Sequence, residues 1–127
     1  MQVEQAIRNY QGRDGARRLN CAQSVTAAFA DTHGTTEEDI QALAGCGGGR
    51  APGGLCGAYH AAVLLNGGES AAMRDSFLDA AGALTCHEIR TQRKLPCAGC
   101  VAHAASLVKE ADYQRAHEDG EDGQSAS

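Results

Sequence analysis

The chain has few aromatic residues and no long apolar run, and each shortage excludes a class of protein. Aromatic side chains make up 4% of the 127 residues and Trp is absent, so small aliphatic side chains must fill the core. The scattered Phe and Tyr leave no stacking platform for single-stranded nucleic acid. The longest apolar run, from Ala58 to Leu65, is far too short to cross a bilayer. The sequence therefore predicts a protein without a membrane span.

Basic charge and an export signal are also lacking. The net charge is −5, whereas proteins that bind nucleic acid carry a basic face, so we expect no nucleic-acid partner. The N-terminus, Met1-Gln2-Val3-Glu4, is polar and contains no apolar signal segment. These features predict a cytoplasmic protein.

Alternating apolar and polar residues, the pattern of a strand, are not found, while Ala makes up about a fifth of the chain. Ala is the best helix former, and the glycine-rich segment 45–54 indicates a loop. The sequence predicts an all-α fold, with a single compact domain of about five or six short helices over residues 1–113. The acidic segment 114–127 predicts a disordered tail.

Capping residues indicate where the helices begin. Asn20 with Gln23, and Thr85 with Glu88, have the spacing of a capping box, in which two side chains bond backbone N–H groups reciprocally. Thr35 or Thr36 is expected to cap a short helix. The last helix is expected from Cys97, after Pro96, to about Tyr113.

Six cysteines in a cytoplasmic chain of this length point to metal, cluster or redox chemistry, because a reducing cytosol does not maintain structural disulfides. Four of them, although far apart in the sequence, fall in the first turn of a predicted helix: Cys21, Cys56, Cys86 and Cys97. The positive end of a helix favours the thiolate, which is the form that binds metal. Buried Cys also serves as a small apolar core residue, but core packing gives no reason to prefer helix starts. The pattern favours an iron–sulfur cluster held by these four thiolates.

The sequence resembles the C_GCAxxG_C_C family of small redox-active proteins, which is defined by four dispersed cysteines and a Cys-Gly-Ala-x-x-Gly element after a glycine-rich loop. The resemblance runs from about Leu19 to Val108 and is carried by Asn20-Cys21-Ala22-Gln23, Gly47-Gly48-Gly49, Cys56-Gly57-Ala58, Cys86, and Cys97 with Val101. It implies a bacterial or archaeal redox protein of the cytosol. A related segment occurs in split-Soret cytochromes, where the corresponding cysteines have been taken to hold an iron–sulfur centre.

The glycines of these stretches are the second group of candidate site residues. Backbone without side chains can approach a cofactor closely and offer N–H donors. We therefore expect Gly47, Gly48, Gly49 and Gly57 to contact the cofactor.

The chain departs from the family pattern at three points. Ala61 replaces the last Gly of the element, which relaxes close packing there by one methyl group. Cys46 and Cys100 are additional cysteines, and either could replace one of the four ligands. Val101 rather than His follows Cys100, so the attachment motif for c-type haem is absent.

Two other functions stay open at this stage. Cys97 and Cys100 form a Cys-x-x-Cys pair at a helix start, as in thiol–disulfide oxidoreductases. Cys/His pairs one helical turn apart, Cys56 with His60 and Cys100 with His103, could instead build a structural zinc module.

The charged residues bear on the site and on its partners. Arg90, Arg93 and Lys94 lie between two candidate ligands, where they either compensate the charge of the site or form a solvated basic patch. The acidic composition is compatible with a transient redox partner protein and with a homo-oligomer, and specifies neither.

Overall fold

The structure is a computed structural model that describes residues 2–12, 19–46 and 51–125, with side chains described as far as residue 114. Within these ranges it is all-α, as predicted, with one 3₁₀ turn at Pro52–Gly54 and no strand. The described chain contains eight α-helices, so the prediction of about five or six is wrong. They are α1 (Gln2–Gln11), α2 (Cys21–Ala28), α3 (Ala30–His33), α4 (Glu37–Ala42), α5 (Gly57–Asn66), α6 (Ala71–Ala81), α7 (Cys86–Gln92) and α8 (Cys97–Ser125).

A break inside one predicted helix accounts for part of the difference. The segment after Asn20 divides at Phe29, whose φ of −106° and ψ of 17° end α2, and α3 follows directly. At the other end of the chain, α8 continues to Ser125 and not only to about Tyr113. The division into a helical domain and an acidic tail stays a prediction.

The capping residues begin their helices as predicted. Asn20 and Thr36 are the N-caps of α2 and α4, and each forms a complete capping box. Thr85 precedes α7, but its hydroxyl donates to the Glu88 carboxylate at 2.8 Å and caps no backbone N–H. The starts of these helices therefore follow local side-chain chemistry closely.

The core lies around α8, which packs against α1, α2, α5 and α6. Its buried face consists of small side chains, Val101, Ala104, Ala105 and Val108, all fully buried. The larger side chains of the core are Phe29 at the junction of α2 and α3, Tyr59 of α5 and Phe77 of α6. Because Ala dominates the contacts, the helix axes can approach closely, as the composition predicts.

Ala61, which replaces the family glycine, is fully buried in this core.

In the part of the chain that the structure describes, every helix is too short or too polar to cross a membrane.

Candidate functional site

Four predicted ligands that are distant in the sequence line one cavity of about 690 Å³. Cys21, Cys56, Cys86 and Cys97 all border it, and Cys100 is a fifth cysteine in the lining. The remaining lining residues are Tyr10, Asn20, Ala44, Gly57, Ile89, Arg90, Arg93, Leu95 and Pro96. The fold thus brings the quartet to one place, while its binding of a metal stays a prediction.

Each of the four cysteines lies at a helix start, as expected. Cys21, Cys86 and Cys97 are the first residues of α2, α7 and α8, and Cys56 is the N-cap of α5. The backbone N–H groups of a first turn have no partner within the helix, and they carry the positive end of the helix dipole. The cavity is therefore bordered by cysteines from the starts of four helices.

Asn20 positions Cys21 by joining two helices. Its side-chain oxygen accepts a hydrogen bond from the Gln23 N–H at 2.7 Å, which caps α2. Its side-chain amide donates to the carbonyls of Leu43 and Ala44, both at 3.0 Å, at the carboxyl end of α4. One side chain thus satisfies backbone groups of α2 and α4 and fixes the wall of the cavity that carries Cys21.

Gly57 allows the start of α5 to lie against the start of α2. A Cβ atom at this position would lie 2.5 Å from the Cys46 carbonyl oxygen and 2.7 Å from the Cys21 Sγ. Both distances are far below van der Waals contact, so only glycine fits here without a shift. Gly57 is therefore required for the close approach of the start of α5 to Cys21 and Cys46.

A short backbone pairing brings α5 and α7 together. Leu55 and Thr85 form an isolated antiparallel bridge, and the Cys56 N–H donates to the Leu84 carbonyl at 2.8 Å. The residues that directly precede α5 and α7 are therefore held side by side. This pairing places Cys86 beside Cys56 in the cavity wall.

The sulfur of Cys56 lies in an environment that favours its thiolate. A hydrogen bond from the Cys100 thiol is the main cause that lowers the pKa of Cys56 to about 7, and burial opposes it. The backbone N–H groups of Ala58 and Tyr59, in the first turn of α5, lower this pKa further. The same hydrogen bond, together with burial, raises the pKa of Cys100. Of these two thiols, Cys56 is therefore the one whose thiolate form is favoured.

Tyr10 and Arg90 contact the sulfur of Cys97. The Tyr10 hydroxyl forms a hydrogen bond with it, and burial, followed by the nearby Cys97 sulfur, raises the pKa of Tyr10. The Arg90 guanidinium also donates to Cys97, and the nearby sulfurs of Cys86 and Cys97 raise the pKa of Arg90. Burial raises the pKa of the Cys86 thiol, and the positive charge of Arg90 opposes this effect. Arg90 therefore brings positive charge next to two sulfurs of the cavity.

Other residues singled out in the sequence lie elsewhere or outside the described residues. Cys46 does not line the cavity, although its carbonyl contacts the Gly57 backbone region. Lys94 donates to the carbonyl of Asp79 on α6 and is not part of the lining, whereas Arg93 is. Neither His60 nor His103 lines the cavity. Gly47, Gly48 and Gly49 lie outside the described residues.

Tyr10 is the site residue that sequence reasoning missed. The helical pattern assigns it only to the apolar face of the first helix, and it is indeed partly buried against the core. No local motif connects it with Cys97, because the contact exists only once α1 packs against α8.

The thiols surround the cavity without converging on one point. Among the residues that the structure describes, no three His, Cys, Asp or Glu side chains lie close enough to hold a single metal ion. The six cysteines all lie in the described ranges, and none forms a disulfide. The site is a cavity bordered by five reduced thiols, with two arginines and a phenol also in its lining.

Comparison with known proteins identifies one family. Residues 19–111 match the model of the C_GCAxxG_C_C family, which is described as a putative redox-active protein. No curated protein and no solved structure matches the chain. The matched range contains all four helix-start cysteines and also Arg90 and Cys100.

Proposed function

The chain belongs to the C_GCAxxG_C_C family of redox-active proteins, and from this premise we propose that it binds an iron–sulfur cluster through Cys21, Cys56, Cys86 and Cys97. Its role would be electron transfer or redox sensing in the cytoplasm. The observation that carries the proposal is the meeting of these four dispersed thiols on one cavity of about 690 Å³.

The donor chemistry of the cavity suits such a cluster. Iron–sulfur clusters are held by Cys thiolates, and hydrogen bonds to the sulfurs and net charge tune their reduction potential. The four cysteines stand at four helix starts, the Ala58 and Tyr59 N–H groups donate to the Cys56 sulfur, and Gly57 leaves its backbone bare beside Cys21. These are neutral donors that stabilise negative charge without a bulky side chain.

Basic side chains offset the negative charge that the site would carry. Cluster and thiolates together carry negative charge, and the chain itself has a net charge of −5. Arg90 and Arg93 bring positive charge to the cavity wall, and Arg90 bonds directly to Cys97. The Tyr10 hydroxyl supplies a further hydrogen bond to the same sulfur. When bound, the cluster would supply one-electron chemistry, and the exposed arginines would offer a redox partner protein a basic contact beside it.

The test is purification of the full chain under strict exclusion of oxygen, followed by reconstitution with ferrous iron and sulfide. We expect a brown protein with visible charge-transfer absorption and with iron and acid-labile sulfide in comparable amounts. A colourless chain that takes up neither, or that carries one zinc ion per chain under the same conditions, contradicts the proposal.

A further inference from the structure

The turn that ends α7 holds Arg93 in a conformation that residues with a side chain rarely adopt. Arg93 has φ 55°, and within the described ranges it is the one residue other than glycine with a positive φ. Glycine is the usual residue at such a helix end, because it has no Cβ atom to clash with the backbone. Backbone outliers of this kind gather at ligand sites, where the side chain that they place is needed.

The two neighbours of Arg93 fasten this turn to the end of α6. The Gln92 side-chain amide donates to the Gly82 carbonyl at 3.3 Å, and the Lys94 ammonium donates to the Asp79 carbonyl. Neither Gln92 nor Lys94 lines the cavity, whereas Arg93 does. The turn therefore places one guanidinium at the cavity, while the flanking side chains bond to α6.

The cavity offers positive charge and no carboxylate. Among the described residues that line it, two are arginines, Arg90 and Arg93, and none is Asp or Glu, although the chain has a net charge of −5. Arg90 bonds to the Cys97 sulfur. The exposed Arg93 side chain forms no hydrogen bond or ion pair with another described residue, so its guanidinium is available to a ligand.

Apolar side chains stand next to Arg93 in the same lining. They form the apolar wall of the cavity, which consists of Ile89, Leu95 and Pro96. The volume of about 690 Å³ lies within the range of about 300–1,000 Å³ of pockets that hold small organic ligands. Such pockets combine apolar side chains with a few polar groups that orient the ligand. The cavity therefore has the size and the composition for a small molecule with an apolar part and one anionic group.

We propose that the cavity binds a small organic oxyanion, a carboxylate or a phosphate ester, with the anionic oxygens on the Arg93 guanidinium and the apolar part against the apolar wall. The planar guanidinium can donate two parallel N–H groups to two oxygens of either anion. This binding needs no metal. The place of the anion beside an iron–sulfur cluster rests on the proposed function, because one cavity would hold both.

The test is equilibrium dialysis of the full chain, reduced and free of metal, against radiolabelled benzoate without oxygen. Benzoate joins a carboxylate to an apolar ring, and benzamide is its neutral analogue of nearly the same shape. We expect saturable binding of one benzoate per chain that benzamide does not displace. Comparison of unlabelled benzoate with phenyl phosphate as competitors shows which oxyanion the site prefers. The absence of saturable binding, or displacement by benzamide as effective as that by benzoate, overturns the proposal.

Three variants test whether Arg93 carries the binding. Arg93→Gly suits the left-handed backbone, so it should unfold at about the same urea concentration as the unmodified chain while binding benzoate at least about tenfold more weakly. Arg93→Lys keeps the charge without the paired N–H groups and should bind with intermediate strength. Arg74→Gln removes the same charge from an exposed position of α6 outside the cavity lining and should bind normally. Unchanged binding by Arg93→Gly, or an equal loss in Arg74→Gln, overturns the proposal.

Dialysis of the chain reconstituted with iron and sulfide separates this inference from the proposed function. We expect the loaded chain to bind benzoate with the same dependence on Arg93. Binding that depends on Arg93 in a chain that takes up neither iron nor sulfide supports the anion site and contradicts the cluster. A chain that takes up both, but binds no benzoate in either form, supports the cluster and overturns the anion site.

Discussion

Among single residues, Gly57 has the most demanding steric role at the site. Replacing it by Ala should place a methyl group against the Cys46 carbonyl and the Cys21 sulfur, at 2.5 and 2.7 Å. We expect Gly57→Ala to lower the free energy of unfolding by about 1–3 kcal/mol, as overpacking does, in urea titrations. Gly45→Ala is the matched control, because a Cβ there meets nothing within 4 Å. Equal stability of the two variants would contradict the close approach of α2 and α5.

The charge state of Cys56 gives a second prediction for a single residue. Its pKa of about 7 rests mainly on the hydrogen bond from Cys100. Alkylation of Cys56 in the reduced, metal-free chain should therefore reach half its maximal rate near pH 7. In Cys100→Ala the burial of Cys56 remains while the donor is lost, so this midpoint should move to higher pH. Rates measured on the peptide that contains Cys56 test this, and an unchanged midpoint would exclude the hydrogen bond as the cause.

The sequence predicts the thiols of the site better than it predicts the residues that contact them. A cysteine at a helix start is visible locally, because the cap residue and the turn precede it. Tyr10 and Cys100 acquire their roles through contacts between α1, α5 and α8, which no local pattern encodes. The charge-compensating interpretation of the basic segment is supported for Arg90, which bonds to Cys97, whereas Lys94 bonds to α6.

At the scale of whole helices, two N-cap variants distinguish a loss of stability from a change in the geometry of the site. Asn20→Ala removes the α2 cap and two hydrogen bonds to the end of α4, so we expect a loss of about 2 kcal/mol. Thr36→Ala removes only the cap of α4, which should cost about 1 kcal/mol. Urea unfolding measures both losses. Only Asn20→Ala should also reduce iron uptake, and a similar reduction in Thr36→Ala would show that uptake follows stability alone.

Helix starts could be predicted because they depend on a few neighbouring residues. Three helix ends also carry a local signal, because Gly34, Gly67 and Gly82 end α3, α5 and α6 in the left-handed conformation. Two ends carry none: Phe29 ends α2 without a glycine or proline, and Arg93 ends α7 at φ 55°, a position that glycine usually occupies. No local pattern predicts the break at Phe29, which adds a helix to the fold.

For the whole molecule, a ligand that joins α2, α5, α7 and α8 should stabilise the fold. Binding to the native state alone adds about 2.7 kcal/mol at a hundredfold excess over the dissociation constant. For a domain of this size we expect the Tm of the loaded chain to exceed that of the metal-free chain by at least about 5 °C. Anaerobic thermal unfolding followed by circular dichroism measures this difference. The gain should disappear in Cys97→Ala, and a gain that persists there would show stabilisation from another site.

The identity of the ligands is tested most directly by iron and acid-labile sulfide per chain in the six single Cys→Ala variants, reconstituted side by side without oxygen. Cys21→Ala, Cys56→Ala, Cys86→Ala and Cys97→Ala should each lose most of both, whereas Cys46→Ala and Cys100→Ala should retain them. Full retention of iron and sulfide in any of the first four variants would contradict the assignment of the four ligands. Loss of both in Cys100→Ala together with their retention in Cys97→Ala would contradict it as well.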